Sequence, residues 1–415
     1  MRSNNPKWFP CNRLEEKRNN RVARDNDRAE RLREGLKQAG LDALAVSLPE
    51  NVLLVTGYYP VVGTSLALIA REGDHLLFVP QDELDLARQA GVENPIPFQP
   101  ASLDRILNAV EAIRDPVRHA VEERHLGRAV IGYECAAAFE PASYASMHFY
   151  ANSILDLFSG ASLRPASEFL RRMKSTLTAY EIDRVRRSCR IAELAFEQGR
   201  KRLVAGIKET EAAAAFRTPL FTAGVGFDGA ARADGYTFCM AGAHSADAFG
   251  AYARSRDTDI QPDDFVLTHC NSHADGYWTD ITRTYCIGPP DDRKRKIYDA
   301  VFEARKAAVA EVRPGAKARD VDHAARDVMR AHGFGDNFKH PTGHGVGFAA
   351  IDHNALPRIH PRSEDYLESG MVFNIEPAAY FEGFGGLRHC DMVVVTPGGA
   401  EVLTPFQSRL EDLIR

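Results

Sequence analysis

Apolar and polar positions change period from segment to segment along this chain, and each period predicts an element. From Arg28 to Ala39, Leu32 and Leu36 fall four apart with Gly40 placed to stop a helix, and Ala43 to Val46 is a short apolar run that reads as a strand. Ser65 to Ala70 and His75 to Val79 predict two strands turning at Glu72-Gly73-Asp74. Asp82 to Ala90 predicts a helix and Ala129 to Tyr133 another strand, so this part of the chain is α/β. The stretch before it, residues 1–27, is polar and charged apart from Trp8 and Phe9, and predicts an arm packed on its own domain or on a second subunit.

A seam falls between Arg164-Pro165 and Ser175. Beyond it, Ile182, Val185, Cys189, Ala192 and Phe196 share one face of a helix predicted from Tyr180 to Leu203. The expected organisation is therefore an arm (1–27), an α/β domain (28–170) and a second domain (171–415). Long helices near Asp291 to Val312 and Ala318 to His332 interleave there with strand pairs rich in Val, Phe, Tyr and Thr.

Composition narrows the function classes. A chain of 415 residues exceeds one ordinary core, and 44% hydrophobic with 26% charged residues excludes disordered and fibrous classes. Its net charge of -5 creates no field to gather a polyanion, so nucleic acid is not an expected partner. No apolar run reaches the roughly 18 residues of a membrane span, and MRSNNPKWFPCNRLEEKRNN lacks the apolar core of a secretory signal, which predicts a cytoplasmic protein without membrane contact. The seven cysteines are scattered and never arranged as CxxC, so buried thiols are expected rather than a disulfide framework or a zinc knuckle.

Three segments concentrate chemistry. FVLTHCNSHADGYWTDITRTYC (265–286) predicts two strands around a tight turn at Ala274-Asp275-Gly276, with Trp278, Asp280, Thr282 and Thr284 on one face. His340-Pro341-Thr342-Gly343-His344-Gly345 sets two histidines four apart among glycines that allow close backbone approach, and His353 and His360 follow in a loop marked by Pro357. Any one of these histidines read alone is more often a hydrogen-bonded structural group than a ligand. In the third segment Glu376 emerges from the apolar run Val372-Phe373-Asn374-Ile375. Buried there, it needs a metal or a cation, and Arg388 is the simplest candidate for the latter.

Taken together, DGYWTDITRT, TGHGVG, GMVFNIEP and the GGLR that follows resemble, in order and spacing, the creatinase, prolidase and aminopeptidase P family, also called the pita-bread fold. The resemblance implies a creatinase-like α/β N-terminal domain followed by an α+β pita-bread catalytic domain. It implies a hydrolase of amide or C–N bonds, in the manner of an Xaa-Pro aminopeptidase or dipeptidase, acting as a homodimer on a small peptide or small amide metabolite.

Metal-dependent members hold two divalent ions with Asp, Asp, His, Glu and Glu. By resemblance Asp280, His344 and Glu376 match the second Asp, the His and the first Glu, whereas His269 stands at the first Asp position and Cys390 at the second Glu position. Both replacements are residues that bind metals. Asp280, Glu376 and a Cys390 thiolate bring about three negative charges, which suits one ion better than two, with zinc favoured and manganese or iron as alternatives. The resemblance assigns catalytic roles to His340, His353 and Glu376, and substrate contacts to Arg388, Tyr252 and His244. Tyr252 falls where these peptidases usually place a histidine, and Phe249 is offered by a shifted alignment. Tyr380, Phe381 and Phe384 are expected in the walls. The rival expectations are a metal-free C–N hydrolase of a small metabolite, like creatinase or ectoine hydrolase, and a catalytically silent binding module.

Overall fold

A computed structural model of the chain describes residues 25–60, 65–135, 156–250, 254–352 and 355–415. Trp8 and Phe9 of the expected arm lie outside these residues. The first helix, Asn26–Gln38, starts where the Asp25 side chain accepts from the Arg28 amide, and Gly40 follows its end at φ +63°. Six strands then form one mixed sheet: β1 (Ala43–Val46), β2 (Leu66–Ala70), β3 (Leu76–Pro80), β4 (Ile96–Phe98), β5 (Val130–Tyr133) and β6 (Ser162–Pro165), in the order β4-β3-β2-β1-β5-β6. Alternate side chains feed two cores. Leu44, Val46, Ile69 and Val79 pack with Leu32, Leu36 and Leu53 on one face, while Ala43, Ala45, Leu68 and Phe78 pack with Ile113 and Val117 on the other. Burial on both faces is why β1 and β2 read as continuous apolar runs.

The junction is tied by a buried ion pair. Helix Ala179–Gly199 opens with a capping box of Thr178 and Glu181, and Glu181 also takes both Nε (2.8 Å) and Nη2 of Arg28, whose Nη1 donates to the Met173 carbonyl at 2.8 Å. A group from the first helix thereby fixes the start of the second half.

In that half β7 (Ala233–Ala241), β8 (Phe265–Ala274) and β9 (Tyr277–Cys286) form an antiparallel sheet in the order β7-β8-β9, with Asp275 and Gly276 at the β8–β9 turn. A second sheet joins β10 (Val372–Ile375), β13 (Asp391–Thr396) and β14 (Gly399–Val402) in the order β10-β13-β14, and β11 (Ala378–Phe381) pairs with β12 (Gly385–Arg388) as a hairpin. Helices Asp292–Glu311 and Ala318–Ala331 occupy the expected segments. Among the described residues no helix is long and apolar enough to cross a membrane.

Candidate active site

Strand register assembles the site. In the β8–β9 pair His269 lies opposite Thr282 and Asn271 opposite Asp280, so His269 and Asp280 share one face two positions apart along the pair. An isolated bridge between Thr282 and Cys390 brings the start of β13 against β9. Glu376 is held by its amide on the Thr342 carbonyl (2.8 Å), and His344 by Asn374, whose Oδ1 accepts the His344 amide at 2.7 Å. The crossing of these backbones needs glycine at 343: a Cβ there would sit 1.9 Å from the Asn374 carbonyl oxygen.

Ligand atoms of Asp280, Glu376 and Cys390 all lie within 4.8 Å of one another, and all three residues are buried. His344 Nε2 is 3.4 Å from Asp280 Oδ2 and 3.8 Å from Glu376 Oε1, while its Nδ1 faces the Gly345 carbonyl at 3.0 Å. Asn374 Nδ2 stands 3.1 Å from His344 Nε2 and 3.6 Å from Cys390 Sγ. Arg388 donates from Nε to Thr282 Oγ1 (3.1 Å) and from Nη2 to His269 Nδ1 (2.9 Å), with Nη1 3.8 Å from Glu376 Oε2. Asp280, His344, Glu376 and Arg388 line a cavity of about 720 Å³, with Phe249, Lys339 and His360 among the other lining residues.

Burial and neighbouring charge separate the acids. Burial pushes Glu376 up to about 7, while Asp280 is held below the usual carboxylate range because His269, His344 and Arg388 outweigh its burial. Burial would depress His344, but Asp280 and Glu376 overcome it and raise the imidazole to about 9. Burial raises the Cys390 thiol well above its ordinary value, with Asp280 and Glu376 adding to it. Two histidines go the other way: burial, aided by Arg388, lowers His340 to about 3, and burial lowers His269 to about 4. His340 Nδ1 faces the Pro341 carbonyl at 2.8 Å, so Nε2 is left to accept the Tyr380 hydroxyl at 2.9 Å.

Donors O, N, O and S converge here, the chemistry that holds a borderline divalent metal once the His344 imidazole gives up its proton. His269 stands differently, since arginine has only donors and the 2.9 Å contact commits its Nδ1 lone pair to Arg388.

The structure brings His269, Asp280, His340, His344, Glu376 and Arg388 to one cavity and Cys390 against it. It does not bring His244, which faces the buried Glu209 carboxylate (Nδ1 to Oε1, 3.0 Å) that also caps the Ala241 and Arg256 amides. His353 and Tyr252 lie outside the described residues. Tyr380, expected as a wall, turns its hydroxyl inward to His340. Sequence reasoning passed over Asn374, although it stands on β10 two positions before Glu376, which follows the strand's end.

Comparison with known proteins identifies the family and the fold. Residues 183–397 match the model of metallopeptidase family M24, and residues 28–175 that of the creatinase/prolidase N-terminal domain. Relatives named Xaa-Pro dipeptidase include one from Pyrococcus horikoshii, 26% identical over 93% of this chain and 99% of its own length, and one from Pyrococcus furiosus, 27% identical over 92% and 99%. Similar solved structures include an Xaa-Pro dipeptidase from Bacillus anthracis (TM-score 0.74, 25% identity, 94% of this chain and 99% of that one) and a prolidase from Pyrococcus horikoshii (TM-score 0.71, 26% identity, 91% and 98%).

Proposed function

Because the chain belongs to metallopeptidase family M24, with a creatinase-like domain ahead of a pita-bread catalytic domain, it is a hydrolase, and we propose that it cleaves small Xaa-Pro peptides at a site for one divalent ion. The observation that carries the proposal is the meeting of Asp280, Glu376 and Cys390 within 4.8 Å, at a cavity sized for a dipeptide or tripeptide. Relatives named for Xaa-Pro dipeptides that span nearly the whole chain supply the substrate class.

Asp280, His344, Glu376 and Cys390 would hold the ion, and their mixed O, N and S donors favour zinc, with manganese or iron as alternatives. Bound there, a divalent ion supplies Lewis acidity and an acidified water. Glu376, buried at the cavity with Oε2 3.8 Å from Arg388 Nη1, would be the carboxylate placed to take and return a proton. Arg388 brings a fixed positive charge to the cavity, where a developing oxyanion or a substrate carboxylate needs one. His340 stays neutral and serves as the acceptor that orients Tyr380. We assign the leaving nitrogen to His353 and a pocket wall to Tyr252 on sequence grounds, and we take the working unit to be a cytoplasmic homodimer.

The test pairs metal analysis of the purified protein with assays on an Xaa-Pro dipeptide, an Xaa-Pro tripeptide and creatine. Cleavage of the dipeptide with one zinc per chain is the expected result. Turnover of creatine by metal-free protein, with neither peptide cleaved, would sink the proposal.

A further inference from the structure

Arg388 is gripped along one edge. Its Nε and Nη2 dock on Thr282 Oγ1 and His269 Nδ1, the cross-strand pair of the β8–β9 register, and Nη1 on the opposite edge is turned toward Glu376. Thr282 Oγ1 also lies 3.0 Å from the same His269 nitrogen, so the three groups form a closed triangle. A guanidinium has no lone pair to offer, which fixes the roles: His269 Nδ1 accepts, Nε2 of the neutral ring then carries the proton, and neither nitrogen offers a lone pair to a metal.

The choice of a neutral acceptor changes the charge of the site. A carboxylate at position 269 would cancel Arg388 as an ion pair, whereas an imidazole holds the guanidinium in place and leaves its charge standing. With one divalent ion, three positive charges, counting Arg388, meet the three negative charges of Asp280, Glu376 and a Cys390 thiolate. A second divalent ion would leave an excess of two in a buried cluster, which is costly to hold.

We propose that His269 is a positioning residue for Arg388 and not a metal ligand, and that the guanidinium it holds stands in place of a second metal cation in the charge balance of the site. This rests on the reading of the site as a one-metal hydrolase.

Three variants and one measurement on the unaltered chain test it. In His269→Leu the acceptor is lost. Zinc should still bind at one per chain with affinity within about threefold of wild type, while kcat/KM falls by roughly 10–100-fold, mostly through KM, as Arg388 loses its anchor. In His269→Gln, whose amide oxygen can accept from Arg388, most of that loss should be recovered. In His269→Asp zinc stoichiometry should rise above one per chain. A fall of more than about 100-fold in zinc affinity in both the Leu and Gln variants would overturn the proposal, because that is how a ligand behaves. Should the Leu variant fail to fold, ring-nitrogen NMR of the intact, metal-free wild-type chain decides. His269 is expected to show an unprotonated Nδ1 and a protonated Nε2, unchanged when zinc is added. A protonated Nδ1, or loss of the Nε2 proton when zinc is added, overturns it. If the wild-type chain takes up no zinc at all, the one-metal reading fails on its own, and the NMR tautomer still reports whether His269 accepts from Arg388.

Discussion

Cys390 Sγ lies 3.2 Å from the main-chain carbonyl of Asp280 and 3.6 Å from its Oδ1, a contact between residues 110 positions apart in the chain. Sulfur in this place is either a thiol donating to Asp280 or a thiolate sharing a cation with it. Burial and the nearby carboxylates hold it as the thiol until a metal arrives. Cys390→Ser keeps the size and the hydrogen bond but removes the soft donor. It should lower zinc affinity by more than about tenfold while leaving the affinity for manganese nearly unchanged, as read by competition titration. Equal losses for both metals would mean that sulfur is not a ligand.

Metal uptake should also release protons. His344, raised to about 9 by Asp280 and Glu376 against the pull of burial, is protonated at pH 7 in the metal-free chain, and the Cys390 thiol is protonated as well. Both must lose a proton to ligate. Glu376, raised to about 7, adds part of a third proton, so zinc affinity should climb most steeply below about pH 7, less steeply up to about 9 and more gently above it, with between two and three protons released per ion near pH 7, measurable by calorimetry in buffers of different ionisation enthalpy. Metal-free stability runs the opposite way. A raised folded-state value contributes stability that is fully present below the unfolded value near ~6.5 and is lost as pH rises through about 9.

Much of this architecture was legible because local pattern and burial agree. The apolar runs at Ala43–Val46 and in the β8–β9 hairpin, and the helices Asp292–Glu311 and Ala318–Ala331, stand within one or two residues of where periodicity puts them, while the helix expected to reach Leu203 ends at Gly199. Helix Ala109–Glu123 was not foreseen, since Pro116 interrupts its pattern, yet its capping box of Asn108 and Glu111 was there to be read. In the site, motif spacing picked out Asp280, His344 and Glu376. The contact of His269 with Arg388 was illegible, because the two lie 119 residues apart in the chain. The contact His244 makes was hidden for a similar reason: its partner, the buried Glu209, sits on a different helix and carries no motif.

Backbone crowding at Gly343 gives a sharper stability test. A methyl group there would meet the Asn374 carbonyl oxygen at 1.9 Å, and β10 cannot retreat without moving Glu376 and the Asn374 contacts to His344. Gly343→Ala should destabilise the chain by at least about 3 kcal/mol in urea and abolish stoichiometric zinc binding. Gly127→Ala, where an added Cβ meets nothing within 4 Å and φ is not positive, should stay within about 0.5 kcal/mol of wild type. Similar midpoints for the two variants would show that the β10 crossing tolerates displacement.

The strand that delivers Cys390 is anchored by charge. Asp391 is fully buried, with Oδ1 2.7 Å from Arg283 Nη2 and Oδ2 on Arg305, and Arg283 Nη1 also donates to the Cys390 carbonyl at 2.8 Å. Burial alone would raise the Asp391 carboxyl, but Arg283, then His389 and Arg305, hold it well below the usual carboxylate range. Asp391→Asn removes one charge and strands a buried guanidinium, which should cost about 3–5 kcal/mol at pH 7. A depressed folded-state value contributes stability that is present above the unfolded value near ~3.9 and lost as pH falls through the folded one. Measured on metal-free protein, the urea midpoint of the wild type should therefore drop on acidification below about pH 4 by more than that of the variant, the two curves converging toward low pH. Parallel curves would mean that Asp391 does not carry the charge that balances Arg283, and that the position of Cys390 owes nothing to it.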